Sequence, residues 1–120
     1  MLYKYKNDYQ KIAMGLLSFI PDLKELSHLK AELQWYQGEE NRILFLWKNQ
    51  NGDFVGVVGV EISTEILMVR HIAISPAERN EGVSFQMFDA LDQLYPNRKM
   101  MGSMETAGLI SKWEQHHGDY

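Results

Sequence analysis

The stretch "HIAISPAERNEGVSFQMF", residues 71–88, decides the fold, because it passes from a strand pattern into a helix pattern through a polar loop. Its first residues are apolar and β-branched, which is typical of a buried strand. Its last residues begin an apolar face at helical spacing, made of Met87, Phe88, Leu91, Leu94 and Tyr95. The loop between strand and helix consists of Arg79, Asn80, Glu81, Gly82, Val83 and Ser84.

This loop has the features of an anion site. The first amides of a helix lack partners within the helix and lie at the positive end of its dipole. Gly82 has no Cβ, so the backbone can approach a phosphate closely, and Arg79 can add a charged, forked donor. Glu81 opposes an anion unless its side chain points outward and only its amide is used. The loop therefore predicts a pyrophosphate site.

The strand before the loop changes its apolar phase. Leu67 and Val69 set one phase, whereas Ile72 and Ile74 set the opposite one, and Arg70 with His71 stands at the change. Such a slip within one strand indicates a β-bulge. We expect the bulge to splay this strand from its neighbour and to open a slot beside it.

The other segments place this stretch in a sheet domain. "MLYKYK" predicts a short first strand, and two amphipathic helical stretches follow before residue 38. Asn51-Gly52 predicts the turn of a hairpin between two strands. The predicted order is β-α-α-β-β-β-α-β-α. We interpret residues 1–120 as a single α/β (α+β) domain, with a mixed, mostly antiparallel sheet flanked by helices.

Composition excludes several classes of protein. The chain has 120 residues, a formal net charge of −4 and no cysteine. The charge argues against a broad nucleic-acid surface, and the lack of cysteine excludes a thiol nucleophile. The longest apolar run is too short to span a bilayer and lacks the pattern of a signal peptide, so we expect no membrane association and a cytoplasmic location.

The loop and its flanking elements resemble the GNAT (GCN5-related N-acetyltransferase) family. Residues 79–84 match the family's acetyl-CoA motif Arg/Gln-x-x-Gly-x-Gly/Ala, with Ser84 at the last position, and the resemblance is clearest from about residue 43 to residue 95. It implies that acetyl-CoA (coenzyme A) binds here, with its pantetheine arm along the backbone of Ile72, Ala73 and Ile74. The pyrophosphate would lie on the amides from Asn80 to Phe85.

Nearly the whole chain also resembles a short member of this family that is encoded with bacterial riboflavin biosynthesis genes. The matching stretches are "KIAMGLLSF" (11–19), "LFLWK" (44–48), "VGVEI" (58–62) and "VRHIAISP" (69–76), and the similarity weakens after residue 96. A link to riboflavin biosynthesis is implied by this resemblance alone, and the acceptor stays unknown.

The C-terminal part departs from the family pattern. Many members carry an Asn early in the last helix and, four residues before a Gly near its end, a Tyr that can protonate the departing thiolate. Here Ala107 or Gly108 stands in place of the Asn, and Glu114 in place of the Tyr. The usual final two strands are also missing, so the domain is expected to be truncated. The acceptor side would then be incomplete or completed by a partner chain, as in a homodimer.

Without cysteine, acetyl transfer would proceed by direct attack of an amine on the thioester. Glu61 and His71 are the candidate catalytic bases; alternatively, Glu61 is a solvated strand end and His71 a structural histidine. Glu114 and His117 stand three residues apart, but two ligands do not make a metal site, so no metal site is expected.

The main functional hypothesis is an N-acetyltransferase acting on a small molecule or a protein. The alternative is a non-catalytic CoA-binding regulatory or interaction module.

Overall fold

The computed structural model describes residues 1–78 and 81–118, without the side chains of residues 81, 117 and 118. The predicted order of strands and helices is confirmed. The elements are β1 (Leu2–Lys4), α1 (Gln10–Leu17), α2 (Leu26–Gln37), β2 (Arg42–Lys48), β3 (Phe54–Ile62), β4 (Ile66–Ile74), α3 (Glu81–Leu94), β5 (Lys99–Gly102) and α4 (Ala107–Gly118). Short 3₁₀ turns lie at Asn7–Tyr9, Pro21–Leu23 and Pro76–Glu78.

The five strands form one mixed sheet in the order β1-β2-β3-β4-β5. The first four pair antiparallel, whereas β5 pairs parallel to β4, with α3 as the crossover between them. The hairpin between β2 and β3 turns at Gly52, whose φ of +86° suits a residue without a Cβ. The side-chain oxygen of Asn49 accepts the amides of Asn51 and Asp53 and closes this turn. The predicted fold class is therefore confirmed.

Each face of the sheet supports a separate apolar core, since neighbouring strand residues point to opposite faces. The face covered by α1 and α2 buries, among others, Ala13, Leu17, Leu33, Tyr36, Leu46 and Val57. The face covered by α3 and α4 buries, among others, Phe45, Val58, Val69, Met87, Phe88, Leu91 and Trp113. Leu94 was expected on the buried face of α3 but is 53% exposed, because α3 ends at this residue and Tyr95 packs against the core instead.

None of the helices in the described ranges is long and apolar enough to cross a lipid bilayer.

The predicted bulge is present in β4. Gly59 of β3 lies opposite His71, and the next residue, Val60, lies opposite Val69, so Arg70 is the extra residue. Leu67 and Val69 before the bulge, and Ile72 and Ile74 after it, all pack on the α3–α4 side. Ala73 packs on the α1–α2 side instead, and the His71 ring contacts Tyr36 there.

Gly59 creates the space into which Tyr36 reaches. A Cβ built on Gly59 would overlap the Tyr36 hydroxyl and ring. The phenol of α2 therefore lies directly over the backbone of β3, where it contacts His71 on the neighbouring strand. Gly59 thus permits a close approach between a helix side chain and the sheet.

We predict that Gly59→Ala destabilises the protein by about 1–3 kcal/mol, because the added methyl forces the Tyr36 ring out of its position. Gly15→Ala is the matched control: Gly15 lies in α1 with open space around it. This change should stabilise the protein by about 0.5–1 kcal/mol through helix propensity. Urea denaturation measures both values, and wild-type stability in Gly59→Ala would contradict the packing described here.

Candidate active site

A cleft of about 780 Å³ lies beside the second half of β4. The pairing between β4 and β5 covers Ile66–Val69, and the following residues of β4, 70–74, line the cleft. Its other walls come from the connection between α1 and α2, from α2 and from the first turns of α3 and α4. These walls contribute Phe19, Ile20, Pro21, Asp22, Leu23, Glu32, Ser84, Glu105, Thr106 and Leu109. The slot that the bulge predicts beside β4 is therefore present as this cleft.

The wall formed by α4 is fixed to the end of the β4–β5 pairing. Thr106 is buried, its Oγ1 donates to the Val69 carbonyl at 2.8 Å, and it accepts the Ser103 amide at 2.9 Å. A Cβ on Gly102 would lie 2.6 Å from the Cα of Ala107, so only glycine fits where β5 turns into α4. These contacts hold the start of α4 against β4 just before the bulge.

The cofactor-binding residues expected from the sequence lie along this cleft where the structure describes them. Ile72, Ala73 and Ile74 form part of its wall, as does Ser84 in the first turn of α3. Gly82 is exposed, whereas Val83 and Phe85 are half-buried against the α3–α4 core. Arg79 and Asn80 lie outside the described residues, and only the backbone of Glu81 is described.

His71 borders the cleft, and both nitrogens of its ring face side chains of α2. Its Nδ1 lies 2.5 Å from the Tyr36 hydroxyl oxygen. Its Nε2 lies 3.8 Å from a carboxylate oxygen of Glu32, which also borders the cleft. The structure therefore brings the expected residue His71 together with Tyr36 and Glu32, which the sequence did not identify as site residues.

Burial determines the protonation of this group of residues. Burial lowers the pKa of His71 below its ordinary value of 6.5, against the opposing effects of the nearby carboxylates Glu32 and Glu105. Arg70 lowers the pKa of His71 further. Burial also raises the pKa of Tyr36, and Glu32 raises it further. At neutral pH the imidazole is therefore neutral and the phenol keeps its proton.

Glu61, the other expected base, is held in an ion pair. Its Oε1 accepts hydrogen bonds from both Nε and Nη2 of Arg70, at 3.1 and 2.7 Å. Its Oε2 lies 3.9 Å from Nε of Arg42, whose guanidinium stacks 4.3 Å from the Trp35 ring. Glu61 thus faces two arginines on the α2 side of the sheet, and the structure does not bring it together with His71.

Glu32 and Tyr36 carry no motif that would identify them from sequence. The available signal is their spacing, because residues four apart lie on the same side of a helix. Tyr36 lies on the buried face of α2, and Glu32 lies one turn before it. Nothing in the local pattern shows that this face of α2 meets His71 on β4.

The fold occurs in acetyltransferases of known structure. The aminoglycoside acetyltransferase AAC(6′)-Iy, solved with a CoA-linked bisubstrate analogue, has 16% identity and a TM-score of 0.73, covering 98% of this chain and 87% of its own. A GNAT family acetyltransferase from Elizabethkingia anophelis, solved with acetyl-CoA, has 16% identity and a TM-score of 0.69. That match covers 97% of this chain and 73% of the other.

A curated relative from Bacillus methanolicus is 40% identical over 119 residues, which is 98% of both chains. It is described as an uncharacterized N-acetyltransferase in the lysA 3′ region. The chain belongs to the GNAT family of N-acetyltransferases. The prediction that the chain is a GNAT protein and an N-acetyltransferase is therefore confirmed. No family model matches the chain.

The last helix of this GNAT protein differs from the family pattern as the sequence indicates. Glu114, at the place of the family's Tyr, is exposed on α4. The preceding Trp113 is buried, and its Nε1 donates to an Asp89 carboxylate at 2.9 Å. The side chain of His117 lies outside the described part of the chain. Among the described residues, no group of three His, Asp or Glu side chains is arranged to hold a metal ion.

We predict that His71 makes the protein less stable in acid. Because the pKa of His71 is lowered on folding, the unfolded chain binds the proton first as the pH falls below about 6.5. The free energy of unfolding should therefore decrease between about pH 7.5 and pH 5 more steeply in the wild type than in His71→Gln.

Urea denaturation at several pH values measures this difference. His28→Gln is the control, because the His28 side chain is 62% exposed, and it should keep the wild-type pH dependence. Equal slopes for His71→Gln and the wild type would contradict the buried, neutral imidazole.

Proposed function

We propose that the protein is an acetyl-CoA-dependent N-acetyltransferase that transfers the acetyl group directly to an amine of a small molecule or a protein. The observation that carries this proposal is the cleft along residues 70–74 of β4. It runs from the first turn of α3, where an anion can bind, to His71 and Glu32. Family membership and the CoA and acetyl-CoA complexes of structural neighbours support it.

The cofactor would occupy the cleft in an extended form. We propose that its pantetheine arm lies along the backbone of residues 72–74 and that its pyrophosphate lies on the amides from Asn80 to Phe85. Helix α3 begins at Glu81, so Gly82, Val83 and Ser84 belong to its first turn, where amides bind anions. Ser84 borders the cleft and is only 3% exposed, so its small side chain packs within the protein.

The reaction requires the removal of one proton before the bond changes. An ammonium group must lose a proton before its nitrogen attacks the thioester carbon. The C–N bond then forms and the C–S bond breaks, the nitrogen releases its second proton to give the amide, and the leaving thiolate takes up one proton. We propose that the Glu32 carboxylate accepts the amine's proton, since it borders the cleft 3.8 Å from His71, whereas Glu61 is occupied by Arg70.

The identity of the acceptor rests on resemblance. The stretches quoted above resemble RibT, the GNAT protein encoded with bacterial riboflavin biosynthesis genes, so we propose amines of that pathway as the first acceptors to test. A cytoplasmic location and a homodimer that completes the acceptor side remain predictions from the sequence.

The alternative, a non-catalytic CoA-binding module, is favoured by Glu114 standing exposed where the family has its Tyr. Saturable CoA binding without acetylation of any amine in a panel would favour the non-catalytic module over the enzyme.

We predict that acetyl-CoA binds saturably in isothermal titration calorimetry and that Gly82→Glu abolishes this binding. The new carboxylate would add bulk and negative charge where the pyrophosphate meets the first turn of α3. Gln86→Glu is the matched control, because it adds the same charge at an exposed position of α3 beyond that turn, and it should bind nearly as well as the wild type. The cofactor proposal fails if the wild type shows neither heat nor a thermal shift at millimolar acetyl-CoA.

We predict different effects for the two carboxylates. With an amine that the panel identifies, Glu32→Gln should lower kcat by about 10²-fold or more and leave the affinity for acetyl-CoA unchanged. Glu61→Gln should mainly lower stability, because it leaves Arg70 without its carboxylate partner. Steady-state kinetics and urea denaturation separate the two effects. Full activity in Glu32→Gln together with an inactive, stable Glu61→Gln would assign the base to Glu61.

A further inference from the structure

The contact between Tyr36 and His71 determines which nitrogen of the imidazole carries its proton. Tyr36 is only 4% exposed, and its hydroxyl lies 2.5 Å from Nδ1 of His71. Within the described residues, the structure shows no second hydrogen-bond partner for this hydroxyl. Gly59 leaves the space that allows the phenol to lie there.

A buried hydroxyl group needs an acceptor for its proton. Since Nδ1 of His71 is the acceptor that the structure provides, the hydroxyl donates to it, and the lone pair of Nδ1 is occupied. A neutral imidazole has one protonated nitrogen, so its proton must then be on Nε2. The opposite arrangement, with Nδ1–H donating to the phenol oxygen, would leave the Tyr36 proton buried without an acceptor among the described residues.

We propose that Tyr36 is a positioning residue that holds His71 with its proton on Nε2, so that His71 acts as a hydrogen-bond donor toward the cleft. The catalytic part of this inference rests on the proposed acetyl transfer. The groups around His71 are Glu32 and Tyr36 from α2, Arg70 from β4 and Glu105 from the segment before α4. Of these, Glu32 has a carboxylate oxygen 3.8 Å from Nε2.

The position of this proton separates the roles of His71 and Glu32. A nitrogen that already carries a proton cannot accept another, so Nε2 of neutral His71 cannot take the proton of the amine. Glu32, an acceptor when ionised, is left to receive it. The Nε2–H group can instead donate a hydrogen bond to the negative charge that develops on the thioester as the amine attacks. Proton acceptance and charge stabilisation are thus divided between two neighbouring side chains.

Nitrogen-15 NMR of the full chain labelled in its histidines tests the tautomer without any substrate. The chain has four histidines, and the spectrum of His71→Gln identifies the signals of His71. We expect His71 in the Nε2–H form at neutral pH, and Tyr36→Phe should convert it to a mixture of tautomers. A wild-type ring protonated on Nδ1 would overturn the proposal. The wild-type spectrum alone gives this result, even if Tyr36→Phe does not fold.

Kinetics of two His71 variants test the donor role. The amide nitrogen of Gln can donate a hydrogen bond from about the position of Nε2 but cannot accept a proton. We therefore expect His71→Gln to retain at least about tenfold more kcat than His71→Ala, since one lost donor of this kind costs about 10²–10³-fold. Equal loss in both variants would overturn the donor role. Failure to acetylate any amine would instead overturn the proposed function, while the NMR result still decides the tautomer.

Discussion

The extra residue at Arg70 is the constraint on which the rest of the structure depends. A strand alternates strictly between faces, so one inserted residue moves every later side chain to the opposite face. Without it, Ile72 and Ile74 would lie under α1 and α2, and Ala73 would lie in the core on the other face. With it, Ile72 and Ile74 extend the core that Leu67 and Val69 begin, and Ala73 lies in the other core. Arg70 and His71 then lie in succession on the α2 side.

The same irregularity creates the cleft. β5 follows β4 only as far as Val69, the last residue before the bulge. At that point Thr106 bonds to the Val69 carbonyl, and the chain turns into α4. A bulge increases the local twist of its strand, which directs the rest of β4 away from the line of β5. The cleft beside the second half of β4 is therefore a consequence of strand geometry and does not require a flexible loop.

Sequence patterns predicted the features that depend on neighbouring residues. The slip of phase around Arg70 is visible in the sequence because both halves of β4 are buried on one face, and the Asn51-Gly52 turn is equally local. The meeting of Tyr36 and His71 is not local, since 35 residues separate them and Gly59 on a third element makes the space. For the same reason the sequence could not rank Glu61 against Glu32. Both are carboxylates within regular elements, and only the fold shows that Arg70 pairs with Glu61.

The arrangement of charge shows how such a small domain can supply polar groups to the cleft without the tyrosine of the last helix. Arg70 and Glu61 pair with each other on the side of Trp35. Tyr36 and His71 form an uncharged pair, because burial opposes ionisation of both. Glu32 is then the carboxylate nearest to His71 in this arrangement, and it is partly solvated at the cleft. A neutral donor beside a carboxylate suits a reaction in which an amine must lose a proton while negative charge develops on the group that it attacks. In this chain α2 can therefore provide Glu32 directly and orient His71 of β4 through Tyr36, whereas the exposed Glu114 of α4 replaces the tyrosine of the family pattern.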